Sequence, residues 1–151
     1  MTTIYVSRGE IDARDHHMNI PESAVSTVDA LVAATKNKCV QRIVVSGHLA
    51  DAPSVSLSPG QSLRGAAEQS AVTIAAGIDG LRLSSDNRVH SIRLDASSNK
   101  RAIFNDTTVA TLGRIELRGI TTTGCVQILA RDNVRSGHVE VSGLVFRRSE
   151  G

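Results

Sequence analysis

Between Gly80 and Arg148 the chain repeats itself three times. The units read GLRLSSDNRVHSIRLDASSNKR, AIFNDTTVATLGRIELRGITTTG and CVQILARDNVRSGHVEVSGLVFRR. Each opens with a short apolar strand, passes through Asn and Asp, and reaches an apolar-charged-apolar strand. Those second strands are Ile92-Arg93-Leu94, Ile115-Glu116-Leu117 and Val139-Glu140-Val141, offset by 23 and 24 residues. A period this short, with strands and turns and no room for a helix, specifies a solenoid of β-coils. The expected fold is all-β: a right-handed parallel β-helix of about four to five coils, the hand being the default for parallel crossovers.

Upstream of the regular coils, Arg42 to Gly47, Val55 to Leu57, Gln61 to Gly65 and Val72 to Ile74 read as further strands, with Ser58-Pro59-Gly60 a strong turn. Residues 21–38, PESAVSTVDALVAATKNK, read as the one helix. Pro21 suits a first turn, Asn37 a left-handed C-terminal residue, and Val25, Val28, Leu31 and Val32 share a face. The expected job of this helix is to cover the first coil. The chain thus divides into residues 1–39 (strand, loop and capping helix) and residues 40–151 (coils). The tail from Leu144 to Arg148 reads as the start of another coil with no cap after it. That predicts a homo-oligomer, or further coils of the same protein, at this end.

In the coils, Arg93 is expected beside Glu116 and Asp95 beside Arg118, a charge ladder that fixes register. Glu140 breaks the alternation by stacking on Glu116. Asn87, Asn105 and Asn133 suit the bends between strands. Asp86, Asp106 and Asp132 form the alternative of a calcium row. Asp12, Asp15, His16 and His17 are weak metal candidates, because neighbouring residues of an extended chain point apart, and the plainer reading is a surface loop. No cofactor or metal is expected.

With three aromatic residues, Tyr5, Phe104 and Phe146, the core must be aliphatic. A net charge of +2 gives no reason to expect a nucleic-acid partner. No apolar run approaches a membrane span and the opening residues lack a leader's pattern, so the default location is cytoplasmic. Cys39 and Cys125 are in no metal spacing and read as buried or half-buried thiols.

The coil length, the Asn bends and the preceding helix resemble the pectate lyase and pectin lyase-like superfamily over roughly residues 40 to 148. That resemblance implies the fold, and a possible polysaccharide ligand. The enzymes' marks are missing: there is no Trp for a Trp-Ile-Asp-His segment, and Pro21, Pro53 and Pro59 form no Arg-x-Pro-x-x-Arg segment. Glu116 and Glu140 are the one carboxyl pair suited to glycoside chemistry, with His90 and His138 as candidate bases. Ser136 with His138 lacks a nucleophile elbow, and Thr107, Thr108 and Thr121 to Thr123 lack the rows of a surface-binding coil. The leading expectation is a non-catalytic structural or interaction domain. The alternative is a carbohydrate-active enzyme.

Overall fold

The computed structural model describes residues 22–129 and 137–147. It is a parallel β-solenoid of about five turns with one helix near its start. Each full coil has three strands, so the cross-section is a triangle. The first sheet stacks β1 (Glu22–Val25), β2 (Arg42–Val45), β5 (Ser62–Gly65), β8 (Arg88–His90), β11 (Arg114–Arg118) and β14 (His138–Ser142). The second stacks β3 (His48–Ala52), β6 (Ala71–Ile74), β9 (Arg93–Asp95), β12 (Thr121–Thr123) and β15 (Val145–Phe146). The third stacks β4 (Val55–Ser56), β7 (Leu81–Leu83), β10 (Arg101–Asn105) and β13 (Cys125–Gln127).

Side chains alternate in and out along a strand, so each inward residue stacks on its counterpart one coil away. One column runs Ile43, Leu63, Val89, Leu117. A second runs Leu49, Val72, Leu94, Thr122. A third runs Val55, Leu81, Ile103. All are buried. Thr122 is the polar member, and its hydroxyl donates to the Leu94 carbonyl at 2.6 Å. The buried core is aliphatic, with no aromatic ring among the buried described residues.

The helix is shorter than expected. Glu22 to Val25 form β1, paired in parallel with β2, and α1 (Val28–Lys36) follows. The boundary is set by Thr27, extended at φ −135°, whose hydroxyl accepts from the Ala30 amide at 3.1 Å as an N-cap. Val25 is therefore a strand residue, and Pro21 lies outside the described residues. Asn37 is not left-handed: its φ is −91°, and its side chain accepts from the Cys39 amide. The expected role of the helix holds. α1 packs on β1, β2, β3 and β4, burying Leu31, Ala34 and Thr35 against the first coil.

The bends are polar and satisfied from inside. Gln61 is buried, and its amide NH2 lies within hydrogen-bonding reach of the Ala34, Asn37 and Val40 carbonyls, 2.9–3.1 Å away. One coil on, Asn87 donates to the Ser58 and Gln61 carbonyls and accepts from the Ser84 amide. Asn105 exchanges two bonds with the Leu129 backbone. The left-handed residue beside Asn87 is Asp86, at φ +52°. Asn133 and Asp132 lie outside the described residues.

Arg101 ties three coils of the third sheet together. It donates to Asp79 at 2.8 Å and to Gln127 at 3.1 Å, and lies 4.2 Å over the Phe104 ring. Hydrogen bonds from the Arg101 side chain and backbone hold the Asp79 carboxyl down at about 2, against an ordinary 3.8. The folded-state value lies below the unfolded one, so this stabilisation is full above pH 4 and is lost as pH falls from about 4 to 2. With solvent screening it amounts to about 1 kcal/mol. Asp79→Asn is expected to flatten the acid limb of the stability curve in that window, as measured by urea titrations at stepped pH.

Candidate functional site

The sequence-predicted site residues gather on the outer face of the first sheet. Register there is fixed by main-chain pairing. Arg42 lies under Ser62, Ser62 under Arg88, Arg88 under Glu116, and Glu116 under Glu140, steps of 20, 26, 28 and 24 residues. The neighbouring outward column is Val44, Arg64, His90, Arg118 and Ser142.

This corrects the expected ladder. Arg93 does not sit beside Glu116, and Asp95 does not sit beside Arg118. Arg93 and Asp95 belong to the second sheet, where they pair with Thr121 and Thr123. Their own ion pair, 2.7 Å, is within one strand. Glu140 does stack on Glu116. His90 and His138 are not counterparts: His90 aligns with Arg118, and His138 with Arg114.

Glu116 is the centre of the face. It is only 8% exposed although its strand points it outward. His90 lies 3.1 Å from one carboxylate oxygen and Arg88 3.6 Å from the same one, while Arg118 donates to the other at 2.6 Å. Burial pushes its pKa up. The His90 hydrogen bond and the charges of Arg118, His90 and Arg88 outweigh that and hold it below the usual carboxylate range. A carboxylate so held stays ionised and is a poor proton donor. As an acid in glycoside hydrolysis it is on the wrong side of neutrality, and the acid would have to be Glu140, which is exposed on β14.

The face carries Arg42, Arg64, Arg88, Arg114 and Arg118 around this one buried carboxylate. A depression of about 350 Å³ lies between Arg42, Arg64, Arg88 and His90. A larger cleft, about 640 Å³, lies at the corner where the first sheet turns into the second, lined by Arg64, Glu68, Ser91, Arg93, Gly119 and Arg147 among others. The sequence reading missed this cleft. Its signal was the turn Ala66 to Ser70, longer than the other turns at that corner.

The remaining candidates disperse. Among the described residues no group of His, Cys, Asp and Glu could hold a metal ion. Asp86 accepts from the Arg114 amide, whereas Asp106 accepts from Thr108 and follows Asn105, which aligns with Leu83. The two are out of line, and no calcium row forms from them. Asp12, Asp15, His16, His17 and Ser136 lie outside the described residues. Thr122 is buried, which breaks any outward Thr row. Cys39 and Cys125 are both exposed, contrary to expectation, because one follows the helix C-cap and the other begins an outer strand. Among the described residues no helix is long and apolar enough to cross a membrane.

No family model matches the chain, and neither the curated proteins nor the solved structures yield a match. The fold is therefore established by the geometry of the coils, and the pectin lyase-like resemblance has no independent match behind it.

Proposed function

We propose that the chain is a non-catalytic β-helical interaction module that pairs with a second copy through the coil of β14 and β15. One observation carries this reading: on β14 and β15 the core columns carry exposed apolar side chains. The column Ile43, Leu63, Val89, Leu117 ends in Val141, and the column Leu49, Val72, Leu94, Thr122 ends in Phe146. Leu117 is 1% exposed and Val141 48%; Thr122 is 0% exposed and Phe146 57%. Val139 and Val145 are exposed beside them. Clustered apolar exposure of this kind marks an interaction surface.

The choice of a second copy follows from the opposite end. There α1 lies over the first coil, so head-to-tail stacking of the β14–β15 coil on the first coil is obstructed. Two β14–β15 coils meeting about a two-fold axis bury the same patch on both partners and close the assembly. The non-catalytic part of the reading is supported by Glu116, whose carboxylate is occupied by His90, Arg88 and Arg118.

Light scattering behind size-exclusion chromatography, over a concentration series, tests this. A concentration-dependent dimer is expected, with Val141→Lys weakening it by about 100-fold, in the range of interface hot spots. Circular dichroism of the variant checks that the coils remain. A wild-type monomer at every concentration overturns the reading, and so does a dimer indifferent to Val141→Lys and Phe146→Ser.

A further inference from the structure

We propose that the corner cleft is a binding site for a tetrahedral oxyanion, a phosphate or sulfate group, held by Arg64, Arg93 and Arg147. This site borders the dimerising patch, since Arg147 directly follows Phe146, but it rests on different observations.

The cleft exists because one turn is long. Where the first sheet passes into the second, four coils turn in two residues: Ser46-Gly47, Ser91-Ile92, Gly119-Ile120 and Gly143-Leu144. The coil of β5 and β6 instead takes five, Ala66 to Ser70. The extra length lifts the chain outward and makes a wall, its base pinned by the Ser70 hydroxyl accepting from the Ala67 amide. The lining includes the small residues Gly65, Ala66, Ala67 and Gly119. The volume, about 640 Å³, is that of a small-molecule site.

Strain converges on the same place. Each two-residue corner contains a left-handed residue: Gly47, Gly119 and Gly143, but Ser91 in the coil lining the middle of the cleft, at φ +54°. A serine in that conformation costs about 1 kcal/mol relative to glycine, and such residues cluster at binding sites. Here the hydroxyl-bearing side chain lies in the lining.

The charge decides the ligand class. Among the described residues, the three arginines of the lining come from three different coils, at β5, β9 and the residue after β15, against one lining carboxylate, Glu68. Arg93 uses its Nε for Asp95, which holds the guanidinium in place and leaves the terminal nitrogens as donors. Guanidinium forks approaching from different coils suit a group with oxygens on several sides, and the excess of arginine over carboxylate in the described lining suits an anion. Among the described residues the lining holds no aromatic ring on which a nucleobase or a neutral sugar could stack.

The test is calorimetric titration of the full chain near neutral pH at fixed ionic strength, with inorganic phosphate and with glucose 6-phosphate as probes. One saturable site is expected for both. Tighter binding of the ester means that the organic part also uses the cleft, and equal binding means that the anion alone is read. The doubly substituted Arg64→Gln, Arg147→Gln protein is expected to lose at least about tenfold in affinity. Arg82→Gln, which removes an arginine from the third sheet outside the cleft, is expected to leave it intact. Val141→Lys is also expected to bind, which separates this test from that of the dimer. No saturable binding, or equal loss with Arg82→Gln, overturns the proposal.

Discussion

Replacing Gln61 by Leu is expected to lower the unfolding free energy by about 3 kcal/mol. The side chain is buried between the helix and the first coils, and it is satisfied on both ends. Its oxygen accepts from the Ser58 amide at 2.8 Å. Its nitrogen faces three carbonyls: Ala34 in the last turn of α1, the C-cap Asn37, and Val40 just before β2. Helix C-termini leave carbonyls without intrahelical partners, and here one glutamine serves that end from the neighbouring coil. Leu fills the volume but leaves buried polar groups unpaired, which costs more than the hydrogen bonds themselves contribute. Urea denaturation gives the free energy, and hydrogen exchange gives its location: the α1 amides lose protection first. A loss under about 1 kcal/mol means that apolar packing of Leu31 and Ala34 holds the helix by itself.

Gly65→Ala is expected to cost as much or more, about 3 kcal/mol, lowering Tm by roughly 10 °C. Gly65 ends β5 inside the corner, without a left-handed backbone, so conformational freedom is not the reason for glycine. Space is. A Cβ there meets the Ser91 carbonyl oxygen of the next coil and lies 2.8 Å from the Ser70 Cβ. Both obstacles belong to backbone or short side chains in packed corners and cannot swing away. Gly60→Ala is the control. It has φ +82° but nothing within 4 Å of the added carbon, so it carries only the left-handed strain, about 1 kcal/mol. Thermal unfolding of the two variants separates crowding from strain. Equal losses sink the crowding argument.

The solenoid was legible because its period is written in the apolar pattern, and the openings at Leu81, Ile103 and Val126 do stack as read. The cut of each coil was not legible. Val89-His90-Ser91-Ile92-Arg93-Leu94 alternates without interruption, yet a corner falls at Ser91 and the strands on either side belong to different sheets. A two-residue turn preserves the in-out phase, so alternation carries no trace of the bend. The trace lies elsewhere, in a small residue followed by an apolar one: Ser91-Ile92, Gly119-Ile120, Gly143-Leu144. Aligning on those pairs gives the true register and puts Arg88, not Arg93, under Glu116. The strand β1 was hidden for a related reason, since Val25 fits both a helical face and an edge strand, and Thr27 decides between them.

The site was half legible. Glu116 and Glu140 were identified as a stacked pair, and the sequence order sufficed for that. The arrangement of His90, Arg88 and Arg118 around Glu116 depends on the corrected register, and the corner cleft depends on a turn length that looks ordinary until four shorter ones are known.

The unequal steps along the first sheet, from 20 to 28 residues, have a bearing on how such a chain changes over time. Every strand bonds only to its counterparts above and below, so residues added at a corner alter no pairing and displace no core side chain. The segment 106–113 between β10 and β11 already holds eight residues where its counterpart between β7 and β8 holds four. New loops, and with them new recognition surfaces, are admitted at the edges of the triangle without renegotiating its interior. The corner at Ala66 to Ser70 is one such lengthened edge, and 106–113 is the natural place to install another.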